Sequence, residues 1–151
     1  MTYSAQQVAD TIAFHAEART IEIDPLKMQK LLYYAQAWFL VFFSEPLFEE
    51  NIEAWVHGPV VRSVFCYYRD RGWNKITDSG TSIGDCKVVD HVSQLLDVYG
   101  GFTGRQLERL SHQESPWMIA RGGLAPEVSS RAVITHESMN DFYLQAMNGQ
   151  A

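Results

Sequence analysis

A long apolar stripe between residues 24 and 46 is the strongest constraint on the fold of this chain. It begins at Asp24 and Pro25, which combine an N-cap acceptor with a proline at the first helical position, where its missing N–H has no cost. Apolar side chains then recur at helical spacing until a serine, a glutamate and a proline at residues 44–46 end the pattern. The members of the stripe are Met28, Leu31, Leu32, Ala35, Trp38, Phe39 and Phe42. This spacing predicts a long helix.

Capping signals predict the starts of the other helices. The predicted N-cap residues are Ser4, Asp85, Thr103, Ser115 and Thr135. Ser4 and Thr103 each precede a glutamine by three residues, which is the pattern of a capping box. Glycine pairs at residues 100–101 and 122–123 follow apolar runs and predict helix ends.

Another helix is predicted after residue 58. His57 and Gly58 form a turn, and Pro59 is suited to open a helix that carries apolar residues at helical spacing until Gly72. Residues 74–84 are rich in serine, threonine, glycine and aspartate, which predicts a loop.

Together these patterns predict a mainly α protein with six to eight helices in a single compact domain over residues 1–151. At most a small two-stranded β-ribbon is expected, pairing the region around Ala54 with the region around Ile134. A chain of 151 residues buries enough surface to fold without disulfides or metals. Cys66 and Cys86 have no CxxC spacing and are expected to be reduced thiols.

The charge pattern argues against several classes of partner. The net charge is −6, and the lysines and arginines are scattered, so direct binding to nucleic acid is not expected. The N-terminus has neither the basic start nor the apolar stretch of a signal peptide. The longest apolar region, residues 35–43, is too short to span a bilayer. We therefore expect a cytoplasmic protein without membrane contact.

The histidines do not have the spacing of metal ligands, so no metal or cofactor is predicted. Residues 111–114, Ser-His-Gln-Glu, place a hydroxyl, an imidazole and a carboxylate together, but a capping box between Ser111 and Glu114 explains the pattern more simply. Cys66 lies in an apolar helical run, which is typical of an inert thiol. No catalytic residue is predicted. A small hydrolase with His57 or His112 as general base remains the alternative.

An ordered series of short motifs carries a family resemblance. The motifs are KMQKLLYYAQAW at residues 27–38, PLF at 46–48, EAWVHGPVV at 53–61, LSH at 110–112 and SPW at 115–117. Each motif is weak alone, but their order from Val8 to Phe142 resembles the Panacea domain family of SocA-type antitoxins, also described as phage-associated proteins.

The resemblance implies a mostly helical bacterial or prophage domain that neutralises a cognate toxin by direct protein–protein contact, without enzyme activity. Toxin occlusion and delivery of the toxin to protease machinery are both open routes. A phage protein that binds host machinery without a toxin is a further alternative. Tryptophan is common at interface hot spots. The predicted partner-contact residues are Trp55, His57, Gly58, Pro59, Arg62, His112, Pro116 and Trp117. Arg62 stands where many relatives of the family have a proline, and we expect this departure to affect partner choice.

Overall fold

The computed structural model describes residues 2–70, 76 and 80–149. These described residues form seven α-helices and three short β-strands, which confirms the prediction of a mainly α fold. The helices are α1 (Ala5–Ala18), α2 (Pro25–Phe43), α3 (Arg62–Arg69), α4 (Cys86–Tyr99), α5 (Gly104–His112), α6 (Ser115–Arg121) and α7 (His136–Met147). The strands are β1 (Ile52–Trp55), β2 (Gly58–Val60) and β3 (Val133–Ile134).

Helix α2 lies at the centre of the fold and packs against α1, α3, α4, α5, α7 and β2. Every residue from Lys27 to Ala37 is buried, so the polar side chains of this helix must find partners inside the protein. Gln36 bonds to the backbone of the segment that follows α2. Its Oε1 accepts from Leu47 N at 2.7 Å, and its Nε2 donates to Phe48 O at 2.8 Å.

Two further polar side chains of α2 bond to the outer edge of β2. Gln29 Oε1 accepts from Val61 N at 2.8 Å, and Lys30 Nζ donates to Pro59 O at 3.0 Å. An unpaired strand edge exposes N–H and C=O groups that need partners. Helix α2 supplies these partners where a fourth strand would otherwise be needed.

The local capping predictions are confirmed at five helix starts. The side chains that cap them are Ser4, Asp24, Asp85, Thr103 and Thr135. Both predicted capping boxes form, and the predicted glycine ends are observed at Gly100 and Gly122. These signals are reliable because each depends on residues only three positions apart.

The start of α6 differs from the prediction. Ser115 is its first helical residue, and the N-cap is Glu114, whose side chain makes no capping hydrogen bond. The Ser111 hydroxyl donates instead to Glu108 O at 2.9 Å within α5. The predicted capping box between Ser111 and Glu114 is wrong because the Glu114 carboxylate turns into the core, where it accepts from the Tyr34 hydroxyl at 2.6 Å.

The strands form an antiparallel sheet with the order β2-β1-β3. The predicted pairing of the Ala54 region with the Ile134 region is present, with Ile52 opposite Ile134. The sheet has one strand more than the expected ribbon, since β2 pairs with the other side of β1. The reason is Gly58, whose positive φ of 104° turns the chain back along β1 to make a hairpin.

Pro59 lies inside β2 rather than at a helix start, and α3 begins only at Arg62. Proline is tolerated at this point of the sheet because its partner across the strands is Ala54, whose N–H points the other way and donates to Ala132 O at 2.8 Å. The prediction that Pro59 opens the helix is therefore wrong.

The predicted loop at residues 74–84 is described only at residues 76 and 80–84, which form neither helix nor strand. The predicted helix end at Gly72 lies outside the described residues. Among the described helices, none is both long enough and apolar enough to cross a membrane.

Candidate partner-binding groove

Helix α6 brings together two predicted contact segments that lie far apart in the sequence. Trp117 Nε1 donates to Trp55 O at 2.8 Å, and Arg121 Nη1 donates to Ala54 O at 3.0 Å. Both side chains are only 4% exposed. Two buried side chains of α6 thus hold consecutive carbonyls at the end of β1.

A surface groove lies next to this end of β1. It has a volume of about 420 Å³, with the β1–β2 turn on one side and residues 129–131 on the other. The lining residues are Trp55, Val56, His57, Ser129, Ser130 and Arg131. We call this feature the turn groove.

Arg121 also holds the second wall of the turn groove. Its Nη2 donates to Ala125 O at 2.9 Å and to Val128 O, just before Ser129. The planar guanidinium presents several donors in fixed directions, so one side chain can bind carbonyls of two segments at once. Since Arg121 binds β1 as well, both walls of the groove are tethered to the same helix.

The predicted contact residues separate into distinct locations. Trp55, half-buried, and His57, whose side chain is 76% exposed, line the turn groove. Arg62 is exposed at the start of α3 and does not line the groove. The remaining predicted residues lie behind the groove, where His112 is half-buried and the others are buried. These are Gly58, Pro59, His112, Pro116 and Trp117.

A polar cluster supports the β1–β2 turn from inside. Lys30 is fully buried and holds Pro59 O, and His57 Nδ1 lies 3.1 Å from Glu108 Oε2. Gly58 packs so closely that an added Cβ would lie 2.9 Å from Lys30 Cε. The turn that forms one wall of the groove is therefore fixed from below by two elements, α2 and α5.

His112 belongs to the packing behind the groove. Its ring stacks on Trp117 with 4.1 Å between ring centroids, and burial lowers the pKa of the imidazole. Within the described part of the chain, His112 Nε2 is buried without a hydrogen-bond partner. The neighbouring Ser111 is fully buried, so its hydroxyl does not face the groove. The described residues also contain no group of three or more potential metal ligands.

Sequence reasoning missed the residues that build the site. Lys30 and Arg121 were not singled out, because lysine and arginine are rarely buried and their partners here are backbone carbonyls distant in sequence. Residues 129–131 carry no motif. The sequence does carry one signal for Lys30. Apolar residues surround the polar residues of α2 on every side, and this pattern indicates a helix without a solvent-exposed face.

Burial lowers the pKa of Lys30 to about 7, which predicts a pH-dependent stability. Between pH 7 and pH 9 the unfolded chain keeps a proton on Lys30 while the folded protein loses it, so stability rises with pH. We expect the free energy of unfolding to rise by about 2 kcal/mol over this range. Urea denaturation of the protein and of Lys30→Met at several pH values measures the effect.

The Lys30→Met comparison isolates this residue because Lys27, whose pKa is also lowered by burial, is retained in both proteins. The slope with pH is the relevant quantity, since the substitution also leaves Pro59 O without its donor. Equal slopes in the two proteins would contradict the assignment.

Fold and site together define a class of small, mainly helical protein that carries a rigid surface groove beside a three-stranded sheet. The profile described as antitoxin SocA-like, Panacea domain, matches residues 28–118. Antitoxin SocA of Caulobacter vibrioides (strain NA1000 / CB15N) is 32% identical over 133 residues, covering 79% of this chain and 71% of that protein. The chain belongs to the SocA-like antitoxin family and contains its Panacea domain. No solved structure matches the chain.

Proposed function

We propose that this chain is an antitoxin that neutralises a cognate toxin in the cytoplasm by binding it directly at the turn groove. Family membership and similarity to antitoxin SocA support the class of function. The observation that carries the choice of surface is the tethering of both groove walls by Trp117 and Arg121 of α6. A preorganised surface loses little conformational entropy when a partner binds.

The proposal assigns binding rather than catalysis to this groove. His57 is the one histidine among the described lining residues, and its Nδ1 lies 3.1 Å from Glu108 Oε2. Trp55 supplies a fixed aromatic surface, since its Nε1 donates to Glu53 at 2.7 Å and its ring packs edge-on against Phe65. Rigid, half-exposed tryptophan is a typical interface anchor.

Filling the groove is expected to abolish neutralisation without unfolding the protein. Ser129→Trp places a large ring at an exposed position of the groove wall. Co-expressed with the toxin encoded beside it, this variant should fail to restore growth and should no longer co-purify with the toxin. Thermal melting should remain within about 2 °C of the parent, because exposed substitutions change stability little.

Val98→Trp is the matched control, because it adds the same ring at an exposed position of α4 outside the groove lining. It should neutralise the toxin normally. Normal neutralisation by Ser129→Trp would exclude the turn groove as the contact surface. A neighbouring gene product that is harmless, or toxic but never bound, would overturn the antitoxin proposal itself.

The same strains distinguish occlusion from delivery to a protease. We propose occlusion, so the steady-state amount of toxin should be unchanged or higher when the antitoxin is present. A fall in toxin that disappears in a protease-deficient host would support delivery instead.

A further inference from the structure

We infer that the turn groove binds a segment of the partner that carries carboxylate side chains, with Arg131 as the residue that pairs with them. This inference rests on the proposed function, because it names the chemistry of the toxin segment bound there. It is carried by the donor and acceptor groups that line the groove.

The outer wall of the groove supplies hydrogen-bond donors. Arg131 is exposed, and no described residue makes a hydrogen bond or an ion pair with its guanidinium. Ser130 Oγ accepts from Ala132 N at 3.1 Å, which leaves its O–H free to donate. Ser129 is exposed beside it. A guanidinium next to two hydroxyls matches a carboxylate, which only accepts.

The opposite wall does not compete for these donors. Among the residues that the structure describes, the groove lining contains no aspartate or glutamate. Two carboxylates lie next to this wall, and each already has a partner. Glu53 accepts from Trp55 Nε1 at 2.7 Å, and Glu108 Oε2 lies 3.1 Å from His57 Nδ1. Neither belongs to the described lining. With Nδ1 directed at Glu108, the Nε2 side of the exposed imidazole is left for the partner.

The wall positions are held independently of any ligand. Arg121 fixes the backbone just before Ser129, and Trp117 fixes the carbonyl of Trp55. The half-buried Trp55 ring gives the groove an apolar surface on which the methylene groups of a glutamate can pack. The site therefore combines a flat apolar surface with a cation and hydroxyl donors placed at its rim.

The local charge of the groove is opposite to the charge of the whole chain, which is −6. The overall charge favours a partner that is basic over most of its surface, whereas Arg131 favours an acidic residue at one point. An acidic residue in an otherwise basic partner would set the orientation of the complex. Surfaces that differ in this way discriminate between related partners by repulsion as well as attraction.

The test uses the full-length protein and three acetylated, amidated pentapeptides: Ala-Glu-Ala-Glu-Ala, its glutamine counterpart and its lysine counterpart. The chain has four tryptophans, so its labelled indole N–H groups give a small set of NMR signals. The Trp55 signal is identified by its loss in Trp55→Phe. We expect the glutamate peptide to shift the Trp55 signal in a saturable way at about millimolar concentration.

The expected order of affinity is glutamate above glutamine above lysine. Arg131→Ala should weaken the glutamate peptide about fivefold, and Arg131→Lys should retain part of the binding. Arg62→Ala, an exposed arginine outside the groove, should leave binding unchanged. The inference is overturned if the three peptides bind equally, if the lysine peptide binds best, or if no saturable shift is seen. It is also overturned if Arg131→Ala leaves binding of the glutamate peptide unchanged.

These outcomes are separate from those of the co-expression experiment. If Ser129→Trp abolishes neutralisation but the peptides do not bind, the groove contacts the toxin and the acidic segment is wrong. If the glutamate peptide binds but the neighbouring protein is neither toxic nor bound, the carboxylate site stands and the antitoxin proposal fails.

Discussion

Arg121→Ala is expected to lower the free energy of unfolding by roughly 3–5 kcal/mol and to abolish toxin neutralisation. Arg121 is 4% exposed, and its guanidinium donates to carbonyls in β1 and in the segment before Ser129. It also stacks over the Trp117 ring at 4.7 Å. Removing it leaves the buried Ala54 carbonyl oxygen without this donor and opens a cavity, so both losses add.

The measurement is urea denaturation at constant pH, followed by co-purification with the toxin under conditions where the variant is folded. Arg131→Ala is the matched stability control, because it removes an exposed arginine of the same groove that has no partner among the described residues. Its stability should lie within about 0.5 kcal/mol of the parent.

Arg121→Lys separates charge from geometry. A lysine ammonium is a point charge on a flexible stem, and it cannot donate to both walls of the groove together. We expect intermediate stability and impaired toxin binding. A lysine variant with parental stability and binding would show that the forked geometry of Arg121 is not needed.

Gly58→Ala is expected to destabilise the protein by roughly 2–4 kcal/mol, which corresponds to a fall in melting temperature of about 10 °C. Gly58 has a φ of 104°, which L-residues other than glycine rarely adopt. The added Cβ would also lie 2.9 Å from Lys30 Cε and 3.1 Å from Ser111 Oγ. Both neighbours are fully buried, so neither has free space into which to move.

Gly101→Ala is the control for this substitution, since its added Cβ meets no atom within 4 Å and its φ is not positive. Differential scanning calorimetry of both variants measures the difference directly. If Gly58→Ala melted like Gly101→Ala, the hairpin turn would be more adaptable than its packing indicates.

Helix caps follow from local sequence, whereas the place of Pro59 depends on the tertiary fold. Caps such as Ser4 and Thr103 were predicted correctly because a side chain and the amide it binds are three residues apart. The sequence predicts Pro59 at the start of a helix because the preference of proline for the first helical turn is strong. In the fold, the positive φ of Gly58 turns the chain back, and Pro59 pairs with β1 as part of an edge strand. These two effects outweigh the preference of proline for a helix start.

Glu114 illustrates the same limit for a polar residue. Local spacing favoured a capping box with Ser111, but the carboxylate accepts from the hydroxyls of Tyr34 and Tyr143 in the interior. Burial raises the pKa of Glu114, because the loss of solvation disfavours the charged form of the carboxyl group. Its partners lie 80 and 29 residues away, so no local pattern predicts them.

Apolar spacing and capping patterns were sufficient for the helical class and for most helix boundaries. The order of motifs along the chain was sufficient for membership of the SocA-like family. Those properties depend on periodicity and on contacts within a few residues. The turn groove exists only in the folded protein, because its walls at residues 55–57 and 129–131 are brought together by Trp117 and Arg121. Trp117 and Arg121 both donate to backbone carbonyls, and every residue type carries such a carbonyl. For that physical reason the pairing leaves no trace in the sequence.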